Sequence, residues 1–215
     1  MAVDTRHEAP AAPAAPRSRG RRILRGAGKT LITAGVLLLL FIAYELWGTG
    51  LIAGREQNRL REGIGVQGFP AEPIPGGAIG FIRIPKMDLD MVFVEGSGYA
   101  ELKKGPGHYP DTPLPGERGN VGIAGHRTTY LHPFWALNRL QPGDIVELQT
   151  RRGTFRYRVL WQRIVSPYAV EVLNPTRRRA LTLTTCHPRF SARERLVIRA
   201  LQVSGPGSPG SGGAA

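Results

Sequence analysis

Cys186 is the only cysteine among 215 residues, and it closes a run, LTLTTC at 181–186, that alternates as a half-buried strand does. Leu181, Leu183 and Thr185 fall on one side of that strand, and Thr182, Thr184 and Cys186 on the other. With no second cysteine there is no internal disulfide, so the thiol is either a small core filler or a nucleophile. A cysteine nucleophile needs a base or ion-pair partner to reach the thiolate, and a donor for the oxyanion it creates. A guanidinium is close in sequence. Residues 195–203 read as the next strand, with Leu196, Ile198 and Ala200 as the apolar row and Arg195, Val197 and Arg199 turned outward. A thiol at one strand's end and a guanidinium at the next one's start share a face.

Five histidines compete for the role of base. His7 lies in the N-terminal tail. His187 follows Cys186 directly, so on an extended strand it points the other way. His108 and His132 fall in loop-like sequence, which leaves both open. His126 ends a strand, NVGIAGH at 120–126, on the face away from Val121 and Ile123, as Cys186 does on its own strand. A solvated polar residue at a barrel rim is the other reading of that placement.

These residues need a scaffold, and the chain provides many short strands. Runs at 78–84, 90–94, 120–126, 144–150, 154–165, 181–185 and 195–203 read as strands, separated by Gly- and Pro-rich turns. Short helices are expected at 99–104 and 133–140, and a helical turn at 169–173 within the loop 166–179. The 28 Gly and 18 Pro suit a turn-rich β fold. The pattern predicts an all-β closed barrel or sandwich over 78–203.

Upstream, residues 1–29 form an Ala, Pro and Arg tail without hydrophobic period, expected to be disordered. Residues 30–47, TLITAGVLLLLFIAYELW, carry one charge and are just long enough to span a bilayer. Arginines 17, 19, 21, 22 and 25 precede that run, which orients it with the N-terminus cytoplasmic and the C-terminal domain outside. A signal peptide cleaved near Gly48-Thr-Gly50 is the alternative; the length of the apolar run favours an uncleaved anchor. Residues 48–77 read as a stalk, helical at 51–62, followed by a Gly/Pro linker from 63. Residues 204–215 read as a flexible tail. The net charge of +13 is not gathered into an aromatic-interleaved recognition element, so no nucleic-acid partner is expected; an anionic envelope surface explains it as well. No metal or phosphate motif appears.

TLTTCHP at 182–188, GIAGHR at 122–127 and the Glu194-Arg195-Leu196 segment together resemble the cysteine, histidine and arginine motifs of the sortase family, in the family's order. GPGHYPDTPLPG at 105–116 and IPKMDLDMVFVEG at 84–96 are similar to further sortase stretches, and the TLTTCHP form most resembles class E. The resemblance implies an eight-stranded β-barrel and a cysteine transpeptidase that uses no cofactor. Its substrates would be surface proteins bearing an LPxTG- or LAxTG-like signal, and its acceptor a peptidoglycan-precursor amine. Cys186 would be the nucleophile, His126 the acid and base, and Arg195 the oxyanion and substrate donor; Arg193 has the same parity and is the rival. Thr185 matches a family position lining the substrate site, although its alternation favours the core, and Tyr109 and Tyr99 could shape the groove. An L,D-transpeptidase would carry an SHGC-like motif, which Cys186 lacks, and papain-like enzymes place cysteine before histidine. A membrane-anchored binding barrel with a structural cysteine is the reading from another class.

Overall fold

The computed structural model describes residues 19–44 and 48–206; what the sequence suggests for 1–18, 45–47 and 207–215 lies outside the described residues. The chain divides into two units, 1–42 and 43–215.

In the first unit, helix α1 spans Arg19–Ala43. The arginine-rich stretch from 19 to 29, expected to belong to a disordered tail, is helical instead. No proline follows Pro16 there, and Arg, Leu and Ala are good helix formers. Its Gly20–Ala43 segment is long and apolar enough to cross a membrane, with none of its apolar window buried in the protein.

The second unit is a closed barrel of eight strands. In chain order they are β1 (Ala78–Ile84), β2 (Leu89–Glu95), β3 (Gly107–His108), β4 (Asn120–Ala124), β5 (Ile145–Thr150), β6 (Gly153–Val165), β7 (Ala180–His187) and β8 (Glu194–Ser204). Around the barrel they run β1-β2-β3-β4-β7-β8-β6-β5, closing through β5 onto β1. The β4–β7 and β2–β3 pairs are parallel and the others antiparallel. The interior is filled by inward rows such as Ile82, Ile84, Val121, Ile123, Leu148, Leu181, Leu183 and Ile198. Residues 133–140 contribute only a single 3-10 turn, Leu137–Arg139, rather than the short helix expected; Phe134, Leu137 and Leu140 are nonetheless fully buried.

A bulge between Ala78 and Gly80 shifts the parity of β1. Ile79, Ile82 and Ile84 therefore all join the core, while Phe81 faces outward with Val92. Gly80 is obligatory at this bulge, because a Cβ there would strike the Gln149 carbonyl oxygen across the ladder.

Helix α2 (Thr49–Gln67) covers that outer face through Leu60 and Ile64. It runs through Gly63 and Gly65, where a linker was expected, because packing Ile64 against Phe81 and Val92 outweighs the glycine penalty of about 1 kcal/mol each. Its Gln57 meets a particular need. β3 pairs with β2 only at Val94 and Glu95, so further along that edge Val92 has no strand beside it. Gln57 Nε2 donates to Val92 O (2.9 Å) and Lys104 O (2.7 Å), and its Oε1 accepts from Val92 N (2.8 Å). One amide side chain thus stands in for a strand. Gln57→Ala leaves buried backbone donors and acceptors unpaired and should cost about 2–4 kcal/mol, read as a lower urea midpoint at unchanged slope.

Candidate active site

Cys186 and Arg195 are direct cross-strand partners in the β7–β8 ladder. Side chains so placed have Cβ atoms about 4.5–5.5 Å apart, which puts the guanidinium within reach of groups at the thiol. The alternation read from sequence sets this up: Leu183 and Ile198, paired beside them, both point into the core. Cys186 and Arg195 are both half-buried, and Arg195 Nη1 donates to the Ala192 and Glu194 carbonyls (3.0 and 3.1 Å). Arg193 stands in the loop before β8 and lines a separate hollow with Pro188, Phe190, Ser191 and Glu194. The register therefore distinguishes the two arginines.

The parallel β4–β7 pair aligns Ala124 with Thr184. β4 ends there, two residues earlier than the strand read from sequence. His126 lies two residues beyond that last pair, as Cys186 does on β7. The bridge continues through Gly125 N, which donates to Thr184 O (3.1 Å), and Thr185 Oγ1, which donates to Gly125 O (2.7 Å). Gly125 has no side chain because Phe134 packs where its Cβ would be. The His126 ring lies against Tyr130, centroids 5.1 Å apart, and its Nε2 is buried without a hydrogen-bond partner. Burial pushes the imidazole below its ordinary value, which favours the neutral ring near pH 7.

The other described histidines have different surroundings. His108 lies on β3, 1% exposed, with Nδ1 at 2.8 Å from Glu95 Oε2 and Nε2 at 3.1 Å from Pro113 O. His132 packs its ring toward Trp135. His187 sits 2.9 Å through Nδ1 from Arg127 Nη1; a guanidinium only donates, so this nitrogen accepts.

Arg127 itself was quoted within the GIAGHR motif but given no role from sequence. It is 4% exposed and also donates to Cys186 O (3.1 Å) and Asn138 Oδ1 (3.0 Å). Burial and then the nearby Arg189 charge lower its proton affinity, and the Cys186 sulfur offsets part of this. A buried arginine thus grips the cysteine's own carbonyl and the residue after it. Adjacency to His126 was the sequence signal, but nothing there names its partners.

A groove of about 250 Å³ opens beside Arg195, the cross-strand partner of Cys186, and is lined also by Tyr109, Thr184, Val197 and, from the 3-10 turn Val170–Leu173, Val170, Val172 and Leu173. Tyr109 Oη and Thr184 Oγ1 are hydrogen-bonded at 2.9 Å. Thr185, named from sequence for the substrate site, is 3% exposed with its hydroxyl committed to Gly125; the groove-facing position is Thr184. Tyr99, also considered for the groove, lies instead against Tyr130 (ring centroids 6.3 Å). Gly122 lets Tyr109, Leu173 and Thr112 close over β4, since a Cβ would meet Tyr109 Cδ2 at 2.8 Å. The turn is pinned at the Val172 carbonyl by Asn120 Nδ2 (3.1 Å) and Arg199 Nη2 (2.7 Å).

The Sortase domain family matches residues 82–203. Sortase SrtE1 of Streptomyces coelicolor is 34% identical over 81% of this chain, and the chain spans about 55% of that relative's length. Sortase SrtE2 of the same organism is 31% identical over 80% of this chain and 78% of its own. Among solved structures, a Clostridium perfringens Sortase D5 transpeptidase superposes with a TM-score of 0.61 at 27% identity, covering 71% of this chain and 99% of that one. Sortase E1 from Streptomyces coelicolor, solved with a tripeptide in the active site, gives 0.57 at 32% identity, over 62% and 92%. Motif order, barrel topology and these likenesses agree, and the chain belongs to the sortase family, the cysteine transpeptidases.

Proposed function

We propose that this chain is a membrane-anchored transpeptidase that cuts a C-terminal LAxTG- or LPxTG-like sorting signal between Thr and Gly and joins the Thr carbonyl to an amine. The observation that carries this reading is the convergence at one barrel end: Cys186 opposite Arg195, with His126 at the same level beyond the neighbouring strand. Cys186 passes its thiol proton to His126 as Sγ attacks the Thr carbonyl carbon, and Arg195 donates to the oxygen that takes up the charge. The C–N bond then breaks as His126 gives a proton to the departing Gly nitrogen, leaving a thioester on Cys186. An incoming amine attacks that thioester, His126 takes its proton and returns it to the departing sulfur, and Cys186 is released as the thiol with a new amide formed.

The remaining residues prepare this sequence. Tyr109, with Thr184 beside it, forms the wall against which the signal peptide lies, while Thr185 holds Gly125 and so the segment carrying His126. The substrates are surface proteins bearing the signal, and the acceptor is an amino group of a peptidoglycan precursor. α1 is the anchor, with its arginine flank in the cytoplasm and the barrel outside.

The test is incubation of the protein with LAxTG and LPxTG peptides and an amine acceptor, followed by mass spectrometry. Product joined at the threonine carbonyl supports the reading and ranks the two motifs. Cleavage at another bond, or turnover that leaves no trace on Cys186, overturns it.

A further inference from the structure

Charge in the barrel is strongly segregated. Residues 78–150 carry seven Lys or Arg against eight acids, whereas residues 151–203 carry twelve arginines, no lysine and two glutamates. That second stretch builds β6, β7 and β8, which are neighbours in the order β7-β8-β6. One wall of the barrel is therefore almost purely cationic, and every cation on it is an arginine. Arg152 and Arg156 are matched by Glu117 and Glu147. Among the described residues, Arg158, Arg163, Arg177, Arg178 and Arg199 have no carboxylate partner.

The wall has a built groove as well as charge. Leu160, Trp161, Ala180 and Leu201 give an apolar floor, and Arg177, Arg178 and Arg199 stand around an open hollow of about 450 Å³. Trp161 lies under two guanidiniums, those of Arg163 at 4.7 Å and Arg199 at 5.6 Å from its centroid. Such stacking holds the forks in place, so less rotamer freedom is lost when they bind an anion. Arginine forks match phosphate oxygens in pairs, which a row of lysines would not.

We propose that this groove binds a linear phosphate-bearing polyanion, at a site distinct from the groove beside Arg195. A flat bilayer of anionic headgroups meets the exposed Arg177 and Arg178, whereas an extended chain lying in the hollow also meets the half-buried Arg199. Arg199 also connects the two sites, because its Nη2 holds the Val172 carbonyl on the wall of the peptide groove.

The experiment uses the full chain in phosphatidylcholine nanodiscs, titrated with inorganic polyphosphate by calorimetry. Arg177→Glu/Arg178→Glu should weaken binding more than about tenfold. Arg118→Glu/Arg139→Glu, an equal charge change at exposed positions outside the wall, should weaken it less than about threefold. Arg177→Ala/Arg178→Ala should flatten the slope of log affinity against log salt by about 1.4, two phosphate contacts on a single-stranded polyanion. Equal weakening by the two charge-reversed pairs would reduce the effect to net charge and overturn the site. So would absence of polyphosphate binding together with a tryptophan signal, lost in Trp161→Phe, that responds to phosphatidylglycerol in the disc; the partner would then be the membrane.

Discussion

Cys186→Ala should yield no thioacyl adduct and no ligated peptide, with turnover at least about 10⁴-fold below wild type. The size of this loss follows from the chemistry: without sulfur there is no covalent intermediate, and His126 and Arg195 have nothing to protonate or stabilise. Folding should scarcely change, since the side chain is small and half-buried and the core rows end at Leu183 and Leu196. A thermal melt close to wild type beside a blank mass spectrum is the expected pair of results. Residual ligation at a few per cent of wild type would move the nucleophile elsewhere. A small electrophile provides the complementary reading. It should label Cys186 in the folded protein, and more slowly in His126→Ala; labelling only after unfolding would return the cysteine to a structural role.

The features carried by alternation were legible in the sequence. The inward rows of β7 and β8 follow the period-2 pattern, and from them came the shared face of Cys186 and Arg195. Strand spacing gave seven of the eight strands and left a barrel or a sandwich open; the closed eight-stranded barrel followed from the family resemblance, which rested on motif order. What escaped depends on contacts between segments far apart. β3 is two residues long, too short for any periodicity, and exists only because Gly107 and His108 bridge β2 and β4. Gln57 reads as an ordinary polar helix residue, yet it completes the hydrogen bonding of Val92, 35 positions away. The bulge at Gly80 reverses the facing of β1, so simple alternation assigns Ile79 and Phe81 to the same side when they lie on opposite ones.

Thr185 marks a subtler limit. Alternation put it toward the interior while the resemblance put it at the substrate site, and its buried bond to Gly125 O agrees with the alternation. The threonine on the groove is the preceding one, because outward residues of β7 are roofed by the Val170–Leu173 turn rather than left in water. Arg127 escaped for a different reason. A buried guanidinium bonded to a backbone carbonyl, a histidine and an asparagine leaves no compositional trace beyond a motif arginine.

Arg195→Ala should reduce the rate of thioacyl formation by about 10²–10³-fold, the range for losing one oxyanion donor. Arg193→Ala should stay within about threefold of wild type, since that residue belongs to the loop and a different hollow. Arg195→Lys should recover only part of the loss: it restores the charge but not the planar fork that can hold substrate and oxyanion together. The measurement is single-turnover acylation by a sorting-signal peptide, run beside alkylation of Cys186 by iodoacetamide. Alkylation displaces iodide at a saturated carbon and forms no oxyanion, so Arg195→Ala should leave it nearly unchanged while acylation collapses. If both rates fall together, Arg195 acts by supporting the thiolate rather than the tetrahedral oxygen. If neither falls, the cross-strand pairing of Cys186 with Arg195 is structural, and the donor must be sought among the backbone N–H groups near the thiol.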